Sequence, residues 1–334
     1  MEKMGFTRSY SRIFLSVWIV KEKNSYRRFS YDIDIKPKLN WKNLKYNQWL
    51  KNKILPALEQ KSDVYEYLID LEEYKKRYLD DYYGGIFETP YLARRIMDVV
   101  DNAFVVFDLA KKIIRECKTR KNNKILKINS GFIIQELVKR ISQEKEKQEK
   151  NIFNLLVKEK KLILGVSEEN DIGYLLPKEY EVYPEGIETF RLNLFEKSDV
   201  LSMNHLERKI ANLIDNKESV LWWVRNIVES KKWYAIRGWR KGKILPDFIV
   251  AKKKENNSLE LVYIIESKGE HLINNPDTQY KKGVFDKMNE ESIEAINTKL
   301  IKFKLNKKFQ FELVEQGNEN IDINKFLSVK AIKV

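Results

Sequence analysis

The chain is poor in cysteine and histidine: Cys117 is the single thiol, and His205 and His271 are the two imidazoles. One thiol forms no internal disulfide and no thiolate zinc site. Two histidines in unrelated contexts suggest no zinc motif and leave few candidates for Ser–His–carboxylate catalysis. Only 7 prolines and 12 glycines occur among 334 residues, with no long Gly/Ser/Pro stretch, so wholesale disorder is not expected. No apolar run approaches the roughly 20 residues that cross a bilayer. The longest early run, Ile13–Val20, is interrupted by Ser16 and Trp18, and no small-residue cleavage site follows it. These absences read as a cytoplasmic protein without membrane contact. A phosphate-binding G-x-x-x-x-G-K-[S/T] loop is also missing, and the glycine pair Gly84-Gly85 has no lysine after it. ATP hydrolysis by this chain is therefore not expected.

What is abundant is positive charge. Lys and Arg total 63 against 49 Asp and Glu, a net charge of +14. Such an excess favours a polyanion partner through phosphate neutralisation and counterion release. A Lys-rich, Asn-rich composition produces the same charge without a partner, so the charge needs company from a site.

Along the chain, Ile13–Val20 and Tyr26–Ile35 predict a hairpin, because Phe29, Tyr31, Ile33 and Ile35 alternate with polar residues. Thr89-Pro90 reads as an N-cap followed by proline at the first helical position. Leu92, Ile96, Val99, Val100, Ala103, Phe104 and Phe107 then follow at helical spacing. Ser130 opens a second helix through Phe132, Ile133, Leu137 and Ile141, continuing over the mixed charges of Gln143–Lys150. Leu162–Phe195 reads as strands and loops punctuated by Gly173, Pro177 and Pro184. A domain boundary is expected near 195–203, dividing an α+β region, 1–198, from an α/β domain, 199–334. The second domain should hold a mixed sheet of about four strands flanked by helices, in the order helix, three strands, helix, strand. Its first strand is expected at Tyr234–Arg240, its second helix at Thr278–Lys299, and its last strand around Phe309, Phe311 and Leu313.

The chemistry concentrates in Trp233–Lys282. Ile244–Val250 is a β-rich run carrying Pro246-Asp247, and Leu259–Lys268 is a second strand ending Glu266-Ser267-Lys268. Asn256-Asn257 suits the turn between them. Side chains alternate along a strand, so Glu266 and Lys268 share a face. In an antiparallel hairpin, Asp247 at the start of the first strand comes near Glu266 at the end of the second. Two carboxylates and an ammonium suit phosphodiester hydrolysis. Mg²⁺ needs one or two carboxylates plus phosphate oxygens, and it acidifies water and neutralises phosphate charge. Lys268 can orient water or stabilise developing negative charge. Either half alone, a Pro-Asp turn or a Glu-x-Lys ion pair, is common structural chemistry.

Leu245–Val250 with Tyr263–Leu272 and Asp277–Phe285 resembles the PD-(D/E)xK nuclease superfamily. More narrowly, it is similar to the C-terminal nuclease region of the Res subunit of type III restriction-modification enzymes. Trp222–Asn226, Ser130–Leu137 and Asn151–Phe153 add softer similarity, so that the likeness runs over roughly residues 10 to 290. The resemblance implies a restriction-endonuclease-like fold and Mg²⁺-dependent cleavage of double-stranded DNA. It implies metal ligation by Asp247 and Glu266, with Lys268 as the catalytic lysine. Glu207, on the helix carrying Leu206, Ile210, Leu213 and Ile214, matches the superfamily's helical acidic residue and a third metal ligand. Tyr280 and Lys281 would contact phosphate. His271 would be structural or DNA-facing, and Gly269 would permit a sharp exit from the strand. In the resembled family the Res subunit also carries helicase-like ATPase domains and works with a modification methyltransferase, so both become implied partners, with ATP acting only through them. Related jobs, in DNA repair or other phage defence, and an idle DNA-binding or docking module are the alternatives.

Overall fold

The computed structural model describes residues 14–58, 87–169, 171–176, 187–188, 190–195, 198–199, 203–226, 233–296 and 309–328. Ile13, Gly84-Gly85, Pro177, Pro184 and the expected helix end at 297–299 lie outside the described residues. The chain is mixed α/β and divides into two compact units, 35–152 and the combination of 1–34 with 153–334. Among the described residues no helix is long and apolar enough to cross a membrane.

The smaller unit is helical. Its helices are α1 (Trp41–Leu44), α2 (Tyr46–Trp49), α3 (Thr89–Met97), α4 (Ala103–Lys118), α5 (Asn123–Ile128) and α6 (Ser130–Lys158). A π-helical turn, Leu50–Ile54, follows α2. Leu44, Leu50, Leu92, Ile96, Val106, Ile113, Leu137 and Ile141 form part of one buried core. The helix expected to run from Leu92 through Phe107 is two helices. Asn102 accepts a hydrogen bond from Val105 N (3.1 Å) and starts α4 afresh. That restart turns Phe104 to solvent (90% exposed), although its spacing suggested the core. Thr89 also sits inside α3, whose N-cap is Glu88. The continuous helix from Ser130 through the charged run is observed; the smaller unit takes it to Ile152 and the larger from Phe153.

The larger unit holds two four-stranded sheets. Their strands are β1 (Val17–Lys21), β2 (Tyr26–Arg28), β3 (Leu162–Ser167), β4 (Val220–Arg225), β5 (Phe248–Lys253), β6 (Leu259–Lys268), β7 (Ile293–Ile296) and β8 (Phe309–Glu315). The first sheet has the order β7-β3-β1-β2. Its β1 pairs antiparallel with both β2 and β3, and β7 runs parallel to β3, Ile293 opposite Leu164. The expected boundary at 198/199 therefore falls inside the larger unit, because a strand from 293–296 completes a sheet begun at 17–21. The expected strand Tyr26–Ile35 stops at Arg28, and Tyr31–Asp34 is one turn of helix. Asp34 causes the turn: it accepts Ser30 N (2.9 Å) and both arms of the Arg27 guanidinium (2.6 and 2.9 Å). A local carboxylate acceptor overrides the period-2 pattern there.

The second sheet has the order β8-β6-β5-β4. β5 is antiparallel to β4 and β6, while β8 runs parallel to β6. Helices α7 (His205–Asp215), α8 (Pro276–Glu290) and α9 (Glu319–Leu327) accompany it. Ile210 and Ile214 of α7 and Ile323 and Phe326 of α9 share a core with Trp223, Phe248, Ile265 and Val314 on one face. On the other face Phe285 of α8 meets Phe311 of β8, ring centroids 5.7 Å apart. The turn between β5 and β6 closes with Lys254 N to Ser258 O (2.8 Å), Asn257 taking φ 58°. Asparagine tolerates this left-handed conformation better than most residues.

The expected order helix, three strands, helix, strand is present, with β7 inserted before the last strand and contributed to the other sheet. Its first strand is β4, not Tyr234–Arg240, where only Ile236–Arg237 pairs with Lys243–Ile244 as a short ribbon. Helix α8 ends at Glu290, short of the expected 299.

Candidate active site

The register of the β5–β6 hairpin builds the site. Phe248 lies opposite Ile265, which brings the preceding Asp247 alongside Glu266. Asp247 N donates to Ile265 O (2.9 Å), extending the ladder by one bond. On β6, Val262 and Ile264 are buried on the same face as Glu266 and Lys268. The apolar run thus ends in two charges held out of water, Glu266 at 3% exposure and Lys268 at 9%. Isolated buried charges are costly, so each must find a partner.

Glu266 finds two. Its Oε1 accepts Lys268 Nζ (2.6 Å) and Lys281 Nζ (2.7 Å), the second reaching across from α8. Its Oε2 is buried and carries no hydrogen bond among the described residues. Lys281 also lies 3.5 Å from Asp277 one helical turn earlier. Burial is the largest single influence and disfavours the Lys281 ammonium, but the charge and hydrogen bond of Glu266, with smaller help from Lys268 and Asp277, together hold the lysine above its ordinary value.

Asp247 is clamped by its neighbour across the hairpin. Its Oδ2 accepts both the backbone N–H and the hydroxyl of Ser267, each at 2.6 Å. Burial pushes the Asp247 carboxyl up to about 7, and the nearby Glu266 charge adds to the rise. The two Ser267 donors oppose it, and Glu207 contributes a smaller push upward.

The corner before Asp247 is held by Asn226, 1% exposed at the end of β4. Its side-chain amide donates to Tyr234 O and Pro246 O, both at 2.8 Å, and accepts Tyr234 N at 2.9 Å. Its own N–H donates to Asp247 O (2.8 Å). One side chain thereby fixes the Pro-Asp corner and the chain returning after 233.

The remaining expected residues separate. Glu207 is the third residue of α7 and forms a capping box with Asn204: Glu207 N donates to Asn204 Oδ1 (2.9 Å), and Asn204 N to Glu207 Oε2 (3.3 Å). Arg225 Nη2 also donates to Glu207 Oε2 (2.7 Å). Among the described residues no three His, Cys, Asp or Glu side chains gather as a metal site, so Glu207 is not joined to Asp247 and Glu266 as a third ligand. Tyr280, expected at phosphate, is buried instead. Its ring packs edge-to-face on Trp239 (4.9 Å) under the Arg240 guanidinium (4.5 Å). His271 is exposed on the short helical turn Glu270–Leu272 beyond β6. Gly269 leaves the strand at φ −62°, a conformation open to any residue, so the sharp exit does not depend on glycine.

The pairing of Lys281 with Glu266 and the clamps of Ser267 and Asn226 were not foreseen. Their only sequence signals are the middle position of Glu-Ser-Lys, the asparagine closing Trp-Trp-Val-Arg-Asn, and a lysine on the helix after the hairpin. No family model, curated protein or solved structure matches the chain.

Proposed function

We propose that the chain is a cytoplasmic Mg²⁺-dependent endonuclease that hydrolyses phosphodiester bonds of double-stranded DNA, with Asp247, Glu266 and Lys268 at the centre. The observation carrying this reading is the group of Asp247, Glu266, Lys268 and Lys281 at the end of an antiparallel hairpin, Glu266 and Lys268 buried and the other two half-buried. The arrangement helix, three strands, helix, strand supports the PD-(D/E)xK fold that the sequence resembles.

Asp247 and Glu266 are the residues that would hold Mg²⁺. The buried, unbonded Oε2 of Glu266 is an acceptor in want of a cation, and two carboxylates with phosphate oxygens suffice for this ion. When bound, Mg²⁺ neutralises charge on the scissile phosphate and acidifies a water. The protein's own groups do the positioning. Ser267 holds the Asp247 carboxylate by one oxygen. Lys268 and Lys281 offset the two carboxylates, so that an anionic phosphodiester enters without net repulsion. Lys268 presents its ammonium where negative charge develops as the P–O bond breaks. The products are a phosphate monoester and a free hydroxyl, with one water consumed. The ATPase and methyltransferase partners implied by the resemblance, and a restriction or other phage-defence role, belong to the same proposal.

Lys268→Ala and Asp247→Ala are each expected to lower plasmid cleavage at least 100-fold, in the range of lost electrostatic or metal-binding groups. Both should retain most of the DNA affinity measured in EDTA. Cutting at the wild-type rate by Lys268→Ala would sink the assignment. A second reading, an idle DNA-binding or docking module, draws on the double lysine pairing that already satisfies Glu266 Oε1; it predicts no metal-dependent cleavage at all.

A further inference from the structure

The helical unit contains a concavity of about 400 Å³, lined by none of the residues of the candidate active site. That volume is within the range of small-ligand pockets, about 300–1,000 Å³. Two helical faces line it. Lys45 caps α2, Trp49 ends it, and Lys53 lies in the π-helical turn, a helix form enriched at functional sites. Glu136, Lys139 and Arg140 come from one face of α6. Four cationic side chains thus surround one carboxylate.

Some cations elsewhere in this unit have carboxylate partners, as Lys112 has Asp108 (2.5 Å) and Arg120 has Glu116 (2.6 Å). Among the described residues Lys45, Lys53, Lys139 and Arg140 have no such ion pair. Arg140 Nε is moreover buried without a hydrogen-bond partner, which leaves a donor unsatisfied at the pocket wall. Like charges gathered in a concavity repel one another, and an anion relieves that repulsion. Trp49 adds a half-buried indole, a ring on which a base can stack.

We infer that the pocket between Lys45–Lys53 and Glu136–Arg140 binds the phosphate backbone of nucleic acid, with Trp49 beside a base. A polyanion suits it better than a small anion because the whole chain carries +14. The site stands apart from cleavage: a chain that cuts nothing still binds here, and Asp247→Ala leaves it intact.

The test is fluorescence anisotropy of a labelled oligonucleotide, single-stranded and duplex, titrated with the full chain in EDTA at several salt concentrations. Lys53 and Lys139 are exposed, so their reversal to Glu spares the core. The double variant Lys53→Glu/Lys139→Glu is expected to weaken binding about tenfold or more and to lower the salt slope by about 2, one for each phosphate no longer neutralised. Lys111→Glu, an exposed reversal on α4 outside the pocket, controls for net charge and should change affinity little. Unchanged thermal unfolding confirms that the variants are folded. Equal losses for one pocket reversal, Lys139→Glu, and Lys111→Glu overturn the inference. So does unchanged oligonucleotide affinity in the double variant, including the case where inorganic phosphate still binds the pocket.

Discussion

At the scale of single residues, the site's properties come from burial without full compensation. Asp247 is the clearest case. Its carboxyl is raised from an ordinary 3.8 to about 7, so the folded state binds more protons than the unfolded state between those values. Stability from this group is fully present below about pH 4 and is lost as pH rises through 7. In EDTA, wild-type stability relative to Asp247→Asn should therefore fall across pH 4–7, by at most about 1.4 kcal/mol per pH unit. Chemical denaturation at a series of pH values measures it, and parallel curves for the two proteins would contradict it. Asn226 is the positioning counterpart. Asn226→Ala leaves Tyr234 N, Tyr234 O and Pro246 O without their side-chain partner in a buried corner. The expected cost is about 2–4 kcal/mol, from the penalty of unsatisfied buried groups, read as a lower denaturation midpoint. Cleavage should fall further than stability explains, because the lost side-chain amide holds the carbonyl of Pro246, the residue directly before Asp247.

At the scale of elements, local pattern was legible and long-range partnership was not. The β5–β6 hairpin followed from two β-rich runs and an Asn-Asn turn, and its register placed Asp247 beside Glu266 as the alternation required. Lys281 could not be seen as a partner of Glu266, because it comes from α8, 15 residues on, and depends on how that helix crosses the sheet. The sheet's first strand was misplaced because Trp222–Arg225 and Tyr234–Arg240 are both aromatic-rich. What separates them is a pairing with β5 and the hydrogen bonds of Asn226, neither of which is local. Asp34 likewise turned an alternating segment into helix through bonds that periodicity does not contain. The packing of α8 yields a prediction of its own. A Cβ at Gly238 would lie 2.5 Å from Val284 Cγ2 and 2.7 Å from the Tyr280 hydroxyl oxygen. Gly238→Ala must push α8, and Lys281 with it, away from the site. Overpacking of this kind costs about 1–3 kcal/mol, so a lower melting temperature and slower cleavage are expected together. A variant with wild-type melting would show that α8 yields freely.

At the scale of the whole molecule, composition and topology divide the information differently. The charge of +14 spoke for a polyanion but not for where it binds. The two units could not be read from the chain, because strands 17–21, 162–167 and 293–296 form one sheet while the helical unit is inserted between the first two in sequence. No composition shift marks residues 34 or 153. The central claim, that the chain cuts DNA with Mg²⁺ through Asp247, Glu266 and Lys268, stands or falls on one assay. Supercoiled plasmid is incubated with the purified chain in Mg²⁺ or in EDTA, with Asp247→Ala beside it. The account predicts nicking in Mg²⁺ that disappears in EDTA and in the variant. Nicking that persists in the Asp247→Ala protein would contradict it.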